Sequence, residues 1–343
     1  MPGTKLLELC LVAICHTSAA RSVCGSTNVG TQYFYTVHLS STSESHPLYS
    51  LPLMSIRKLF GKRDGPITLG GHISQHKDRH ADLFKGTLMV QSPSLSQRTV
   101  IIKIYNVDDN NTLDRVLKRI KREADLWKSL KHPNIANFLG VCYHRNFNVA
   151  GIVSPWYSNE TLSVFLKNNP HIDRLEMVYG IASGLDYLHR LTIVHGDLNP
   201  EHSIMVLDNG QPALVDFGRS KNLSRSGYTT KASSTSDLYR APELVDEYGI
   251  EASNSPYTTQ QDVYSFGMTM VFVLSGQLPF YTYGPAKLGV QQANLGTQLR
   301  HTDYPGIEAT HWDLGTRCWA QMPEARCSSA TIMEVLSSVR TTG

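Results

Sequence analysis

The chain has 343 residues, 41% of them hydrophobic, enough to bury a full core in a two-lobed domain with an extension. Its 32 Lys and Arg against 29 Asp and Glu leave a formal net charge of +3, and the basic residues are scattered, so nucleic-acid binding finds no electrostatic support. Six cysteines show no CxxC or zinc-like spacing, which reads as a reduced, cytoplasmic protein rather than a disulfide scaffold.

The start, "MPGTKLLELCLVAICHTSAAR", imitates a secretory signal with Lys5, an apolar run and the small residues Ser18, Ala19 and Ala20. Glu8 interrupts that run, and the expectation is a short amphipathic or poorly ordered tail. From Cys24 to about Asp64 the chain is rich in Ser, Thr, His and Pro without periodicity, which reads as a linker, so residues 1–65 form a poorly ordered N-terminal extension. Between Pro66 and Val153 the segments "ITLGGHI", "ADLFKGTLMV", "TVIIKIYNV", "FLGVCY" and "VAGIVS" alternate apolar residues between turns, as strands of an antiparallel sheet do. One helix interrupts them: after Asn110, Asn111 and Thr112 as cap candidates, Leu113, Val116, Leu117, Ile120, Ala124 and Trp127 recur at three-to-four spacing on one face. Beyond Trp156 the pattern becomes helical, in "LSVFLKN", "RLEMVYGIASGLDYLH", "QQDVYSFGMTMVFVLSG" and "SATIMEVLSSV". The run "VYSFGMTMVFVLSG" is too short to cross a membrane and reads as a buried helix. The expected architecture is α+β: a β-rich lobe over 66–154, a helical lobe over 155–340 and a hinge near Ser154 to Tyr157.

In "IVHGDLNPEHSIMVLDNGQPALVDFG", from Ile193 to Gly218, a short loop and a β-hairpin bring Asp197 close to Asp216. One acid beside a substrate and one beside a metal is an arrangement suited to phosphoryl transfer. Together with "TVIIK", "KREADLWKSLKHPNI", "YRAPEL", "DVYSFG" and "RCWAQMPEARCSS", the stretch resembles the ordered motifs of eukaryotic protein kinases over about residues 66–340. The pairing of "DVYSFG" with the terminal block looks most like the tyrosine-kinase-like branch, and "VSPW" with HGD in place of HRD is similar to many kinases of mushroom-type fungi.

The resemblance implies a bilobal protein kinase fold that binds ATP and Mg2+. Lys103 would hold the α- and β-phosphates, Glu123 would anchor Lys103, and the backbone near Pro155 and Trp156 would meet the adenine. Asp197 would orient a substrate hydroxyl and accept its proton, and Asp216, a hard oxygen ligand, would hold Mg2+. Three departures weaken that picture. The glycine positions of the phosphate loop hold His76, Asp78 and Ala81, where Cβ atoms hinder close backbone approach to phosphate. Asn199 replaces a lysine, bringing a hydrogen bond but no charge, and His202 replaces an asparagine, offering a nitrogen poorly suited to Mg2+. Glu243 and Arg326 are expected to form a buried ion pair, and Asp262 to receive backbone donors from the catalytic loop.

The resulting reading is γ-phosphoryl transfer to protein Ser or Thr hydroxyls with weakened catalysis, Ser236 being suggestive of that substrate preference. The alternative is a pseudokinase that uses the fold to hold a signalling partner. A small-molecule kinase is opposed by "YRAPEL" and its activation segment. Gly196, in place of an arginine, removes the cation that activation-loop phosphate neutralises in many kinases.

Overall fold

The computed structural model describes residues 8–10, 34–40, 66–75, 81–92, 94–105, 112–144, 149–224, 237–244, 258–284, 286–294 and 296–342. These fall into two compact units, one reaching Leu130 and including Asn137–Trp156, the other formed by Lys131–Ala136 and the chain from Tyr157 onward.

The first unit is a sheet with one helix. Its strands are β1 (Glu8–Cys10), β2 (Phe34–Ser40), β3 (Pro66–Gln75), β4 (Ala81–Ser92), β5 (Ser94–Tyr105), β6 (Gly140–His144) and β7 (Val149–Pro155), with α1 (Leu113–Ser129) between β5 and β6. The five strands expected between Pro66 and Val153 pair antiparallel in the order β3-β4-β5-β7-β6. Within the stretch that composition reads as an extension, β1 and β2 are described as well. The aromatic and β-branched "FYTVHLS" of β2 runs parallel to both β3 and β6.

Alternation along β4 and β5 buries Leu88, Val100, Ile102 and Ile104 with Cys142 and Val153, and Phe84, Val90 and Leu139 close around them. Every apolar residue expected on the helix face of α1 is buried; so is Glu123 on that same face. The register that sends Ile102 and Ile104 into the core therefore sends Lys103 to the opposite side of β5.

The second unit is helical around two short two-stranded sheets. It contains α2 (Leu162–Asn168), α3 (Arg174–Arg190), β8 (Ile193–Val194), β9 (Ile204–Val206), β10 (Pro212–Leu214), β11 (Lys221–Asn222), α4 (Thr259–Ser275), α5 (Ala286–Asn294), α6 (Ala309–Cys318) and α7 (Ser329–Thr342). Asp173 caps α3 by accepting from the Leu175 and Glu176 amides, and Gly276 ends α4 in the left-handed region at φ 75°. α3 and α4 form the centre, with α7 and β10 against α3 and α6 against α4. β9 pairs antiparallel with β10 and β8 with β11, and the two turns between these strands carry the loop 195–203 and the segment 215–220. Among the described residues no helix is long and apolar enough to cross a membrane.

Candidate active site

In the first unit, Lys103 Nζ lies 3.8 Å from Glu123 Oε1, joining the C-terminal end of β5 to the buried face of α1. Both side chains are almost fully enclosed. The Tyr105 hydroxyl donates to the other carboxylate oxygen of Glu123, and the Lys103 ammonium sits 5.2 Å from the Tyr105 ring centroid. Tyr105 thus fixes the acid that anchors the lysine, a role sequence reading misses because the two residues are 18 positions apart and belong to different elements. Ala81 is buried at the start of β4, opposite Tyr105. His76 and Asp78 lie outside the described residues.

At the end of β7, Pro155 stands opposite Val100, and the Trp156 amide donates to the Thr99 carbonyl at 3.1 Å. The Trp156 ring lies 4.1 Å under the Lys85 ammonium. That amide is engaged by β5, whereas Pro155 offers only a carbonyl.

The second unit carries the acids. Asp262, on α4, accepts the His195 amide at 2.7 Å and the Gly196 amide at 2.8 Å, and its Oδ2 is 3.0 Å from His189 Nε2. These are the expected backbone donors of the loop. Gly196 sits at φ 82°, a conformation in which a Cβ would be strained, and this turn aims both amides at one carboxylate.

Asp197 Oδ2 is 3.3 Å from both Arg219 Nε and His202 Nε2. Burial pushes the Asp197 carboxyl up, but the His202 hydrogen bond and the neighbouring Arg219 and His202 charges outweigh it, holding the carboxyl below its ordinary value; Asp216 opposes them weakly. Asn199 is fully buried and turned into its own loop: Oδ1 accepts the Glu201 and His202 amides, while Nδ2 donates to the Asp197 carbonyl and stands 2.7 Å from His202 Nε2. One ring nitrogen cannot accept from Asn199 and donate to Asp197 at once, so His202 holds one of the two partners at a time.

Asp216 adopts a left-handed conformation at φ 61°, unusual for a residue with a Cβ, and Oδ1 accepts the Gly218 amide at 3.3 Å. Phe217 is buried beside His195, whose Nε2 lies 3.0 Å from the Val215 carbonyl. Arg219, immediately after that turn, was not singled out in the sequence. Its signal was its position next to "DFG", but only the folded turn shows that its guanidinium reaches Asp197. Asp197 also lines a small hollow with Tyr239, Arg240, Gln261 and Ser265.

The expected pair is present, with Arg326 buried and Glu243 part-exposed: both terminal nitrogens of Arg326 contact the Glu243 carboxylate at 2.7 Å, and further Arg326 bonds reach the Gln260, Ala320 and Gln321 carbonyls. Ser236 lies outside the described residues, as do residues 225–235 of the activation segment.

This combination of lobes and acids is matched by comparison with known proteins. Residues 87–337 match the family model described as protein kinase domain, and the chain belongs to that family. It has the bilobal α+β kinase fold. The serine/threonine-protein kinase STY17 of Arabidopsis thaliana is 26% identical over 268 residues, 76% of this chain and 42% of that protein. The serine/threonine/tyrosine-protein kinase HT1 of the same plant is 28% identical over 249 residues, 70% of this chain and 60% of that protein. The dual specificity protein kinase zakA of Dictyostelium discoideum is 28% identical over 232 residues, 62% of this chain and 28% of that protein. The chain spans less than two thirds of the length of each.

Proposed function

We propose that the chain binds ATP with Mg2+ and transfers the γ-phosphoryl group to Ser or Thr hydroxyls of a protein, with weakened catalysis, in the cytoplasm. The observation that carries this reading is the buried Asp197 carboxylate, kept ionised by Arg219 and His202 while it lines a hollow beside the loop.

The residues present fit the nucleotide and metal in part. A buried ammonium anchored by Glu123 suits phosphate, and the Asp216 carboxylate suits a hard cation, whereas the His202 imidazole does not. When bound, ATP supplies the phosphoryl group and Mg2+ neutralises its charge. Lys103 would hold phosphate oxygens, with Glu123 and Tyr105 keeping the ammonium in place. Asp197 would orient the incoming hydroxyl and accept its proton. Arg219 brings to the loop the positive charge that Asn199 lacks, and it does so against the same carboxylate that a lysine at position 199 would accompany.

A second reading, a pseudokinase that holds a signalling partner, is favoured by one specific arrangement: Asn199 is sealed inside its loop, and Asp197 is already met by Arg219 and by a His202 ring that it shares with Asn199. Phosphate transfer from labelled ATP to a mixed protein substrate separates the readings, with Asp197→Asn as the blank. Signal above the blank supports the kinase. A parent chain indistinguishable from Asp197→Asn, at equal folded fraction, supports the pseudokinase.

A further inference from the structure

Cys318 and Cys327 stand at the two ends of the loop that carries Arg326, and their spacing in sequence matches no standard cysteine motif. Cys318 ends α6 and is fully buried, while Cys327 is part-exposed just before α7. Their sulfurs lie 3.8 Å apart.

The approach is held by the backbone. The Cys327 amide donates to the Arg317 carbonyl at 3.0 Å, closing the loop at its base. Inside the loop, Arg326 ties down Ala320 and Gln321, and the Gln260 side chain bonds the Pro323 and Arg326 carbonyls. The two sulfurs therefore meet across a fixed gap. A disulfide needs about 2.05 Å between sulfurs, a distance reachable from van der Waals contact by side-chain rotation.

We propose that Cys318 and Cys327 are a modification site, forming a reversible intramolecular disulfide on oxidation by a hydroperoxide. The chemistry divides between the two by environment. The Cys327 thiol is lowered by its hydrogen bond from Cys318 and by the Arg317 charge, against the opposing effect of burial, so the part-exposed sulfur ionises more readily than its partner. Burial first, then Cys327, raises Cys318, leaving it a protonated partner.

The Cys327 thiolate attacks one peroxide oxygen; an S–O bond forms, the O–O bond breaks, and the departing hydroxide takes up the proton the thiol had released. Cys318 sulfur then attacks the Cys327 sulfenic sulfur, the S–S bond forms, the S–O bond breaks, and a second water leaves with the Cys318 proton. Two thiols are oxidised by two electrons, and one hydrogen peroxide is reduced to two waters.

The test uses the full chain exposed to hydrogen peroxide, then denatured, alkylated and digested. Trypsin cuts after Arg317 and Arg326, so the bond joins two peptides, Cys318–Arg326 and Cys327–Arg340. The expected result is that joined pair, lighter by two hydrogens than the separate thiols together and released by dithiothreitol. Cys327→Ser should leave Cys318 alkylatable after the same treatment, and Cys318→Ser should leave a dimedone-reactive sulfenic acid at Cys327. Cys327 recovered as sulfinic acid without the joined pair overturns the proposal, as does a bond from Cys327 to Cys10, Cys15, Cys24 or a second copy. If Cys318→Ser does not fold, the parent and Cys327→Ser, altered only at the part-exposed position, still decide it.

Discussion

Two buried aspartates flank the same loop and are held in opposite ways. Asp262 takes two backbone amides, from His195 and Gly196, and a histidine. Asp197, one residue further along, is met by the side chains of Arg219 and His202. Amides cannot turn away without unfolding the loop, so Asp262 belongs to the framework. Side chains can change partner, so Asp197 can exchange Arg219 or His202 for another group without loss of the fold. The same distinction separates contacts the motifs led one to expect, those of Asp262 and of Glu243 with Arg326, from those seen only in the fold, around Asp197.

Asp262→Ala offers the most severe test, since it strands two buried amides and the His189 ring. Its expected cost is about 3–5 kcal/mol, read as a lower urea midpoint at unchanged slope. Asp197→Asn leaves an oxygen facing Arg219 and should cost less while abolishing phosphate transfer. Equal stability losses at the two positions would erase the distinction.

Tyr105→Phe comes next. It removes the hydroxyl that donates to Glu123 in the first unit, a hydrogen bond to a buried charged group, and should cost about 1.5–3 kcal/mol. If Glu123 holds Lys103 without help, stability and nucleotide affinity will both be unchanged, and the tyrosine is only a neighbour. Melting with and without millimolar MgATP measures the two effects together.

The altered helpers give a smaller effect. Asn199→Lys with His202→Asn should raise single-turnover phosphate transfer by about tenfold, or about 1.4 kcal/mol in barrier. Arg219 already brings a cation to Asp197, so the gain falls below the roughly 10²-fold to 10³-fold that one electrostatic contact is worth. A loss on restoration would mean that His202 has a positive role in the parent.

How far the sequence revealed this arrangement depends on the range of each interaction. The face of α1, the helices α2, α3, α4 and α7, and the five antiparallel strands follow from local periodicity. α5 and α6 do not. In α6, Gly315 breaks the pattern, and its missing Cβ is what admits the Trp319 ring, whose nearest atom lies 2.2 Å from where that carbon would be. Helix formation there rests on packing rather than on propensity. Lys103, Glu123, Asp197 and Asp216 were legible as motif positions. Tyr105, Arg219 and the pairing of Cys318 with Cys327 were not, because each gains its meaning from a partner brought near by folding.

The gentlest test of the comparison is pH. The folded Asp197 carboxyl is held below its ordinary value by His202 and Arg219 against burial, so its ionised form favours the folded chain. That contribution is fully present above the unfolded carboxyl value, about pH 4, and is lost as pH falls through the lower folded value. Stability of the parent minus that of Asp197→Asn should therefore shrink as pH falls below about pH 4, other carboxylates cancelling in the difference. Arg219→Gln should flatten this dependence by removing one of the opposing charges. A parent advantage that instead grows below about pH 4 would reverse the sign, showing that burial outweighs both cations and that Asp197 prefers its proton when folded.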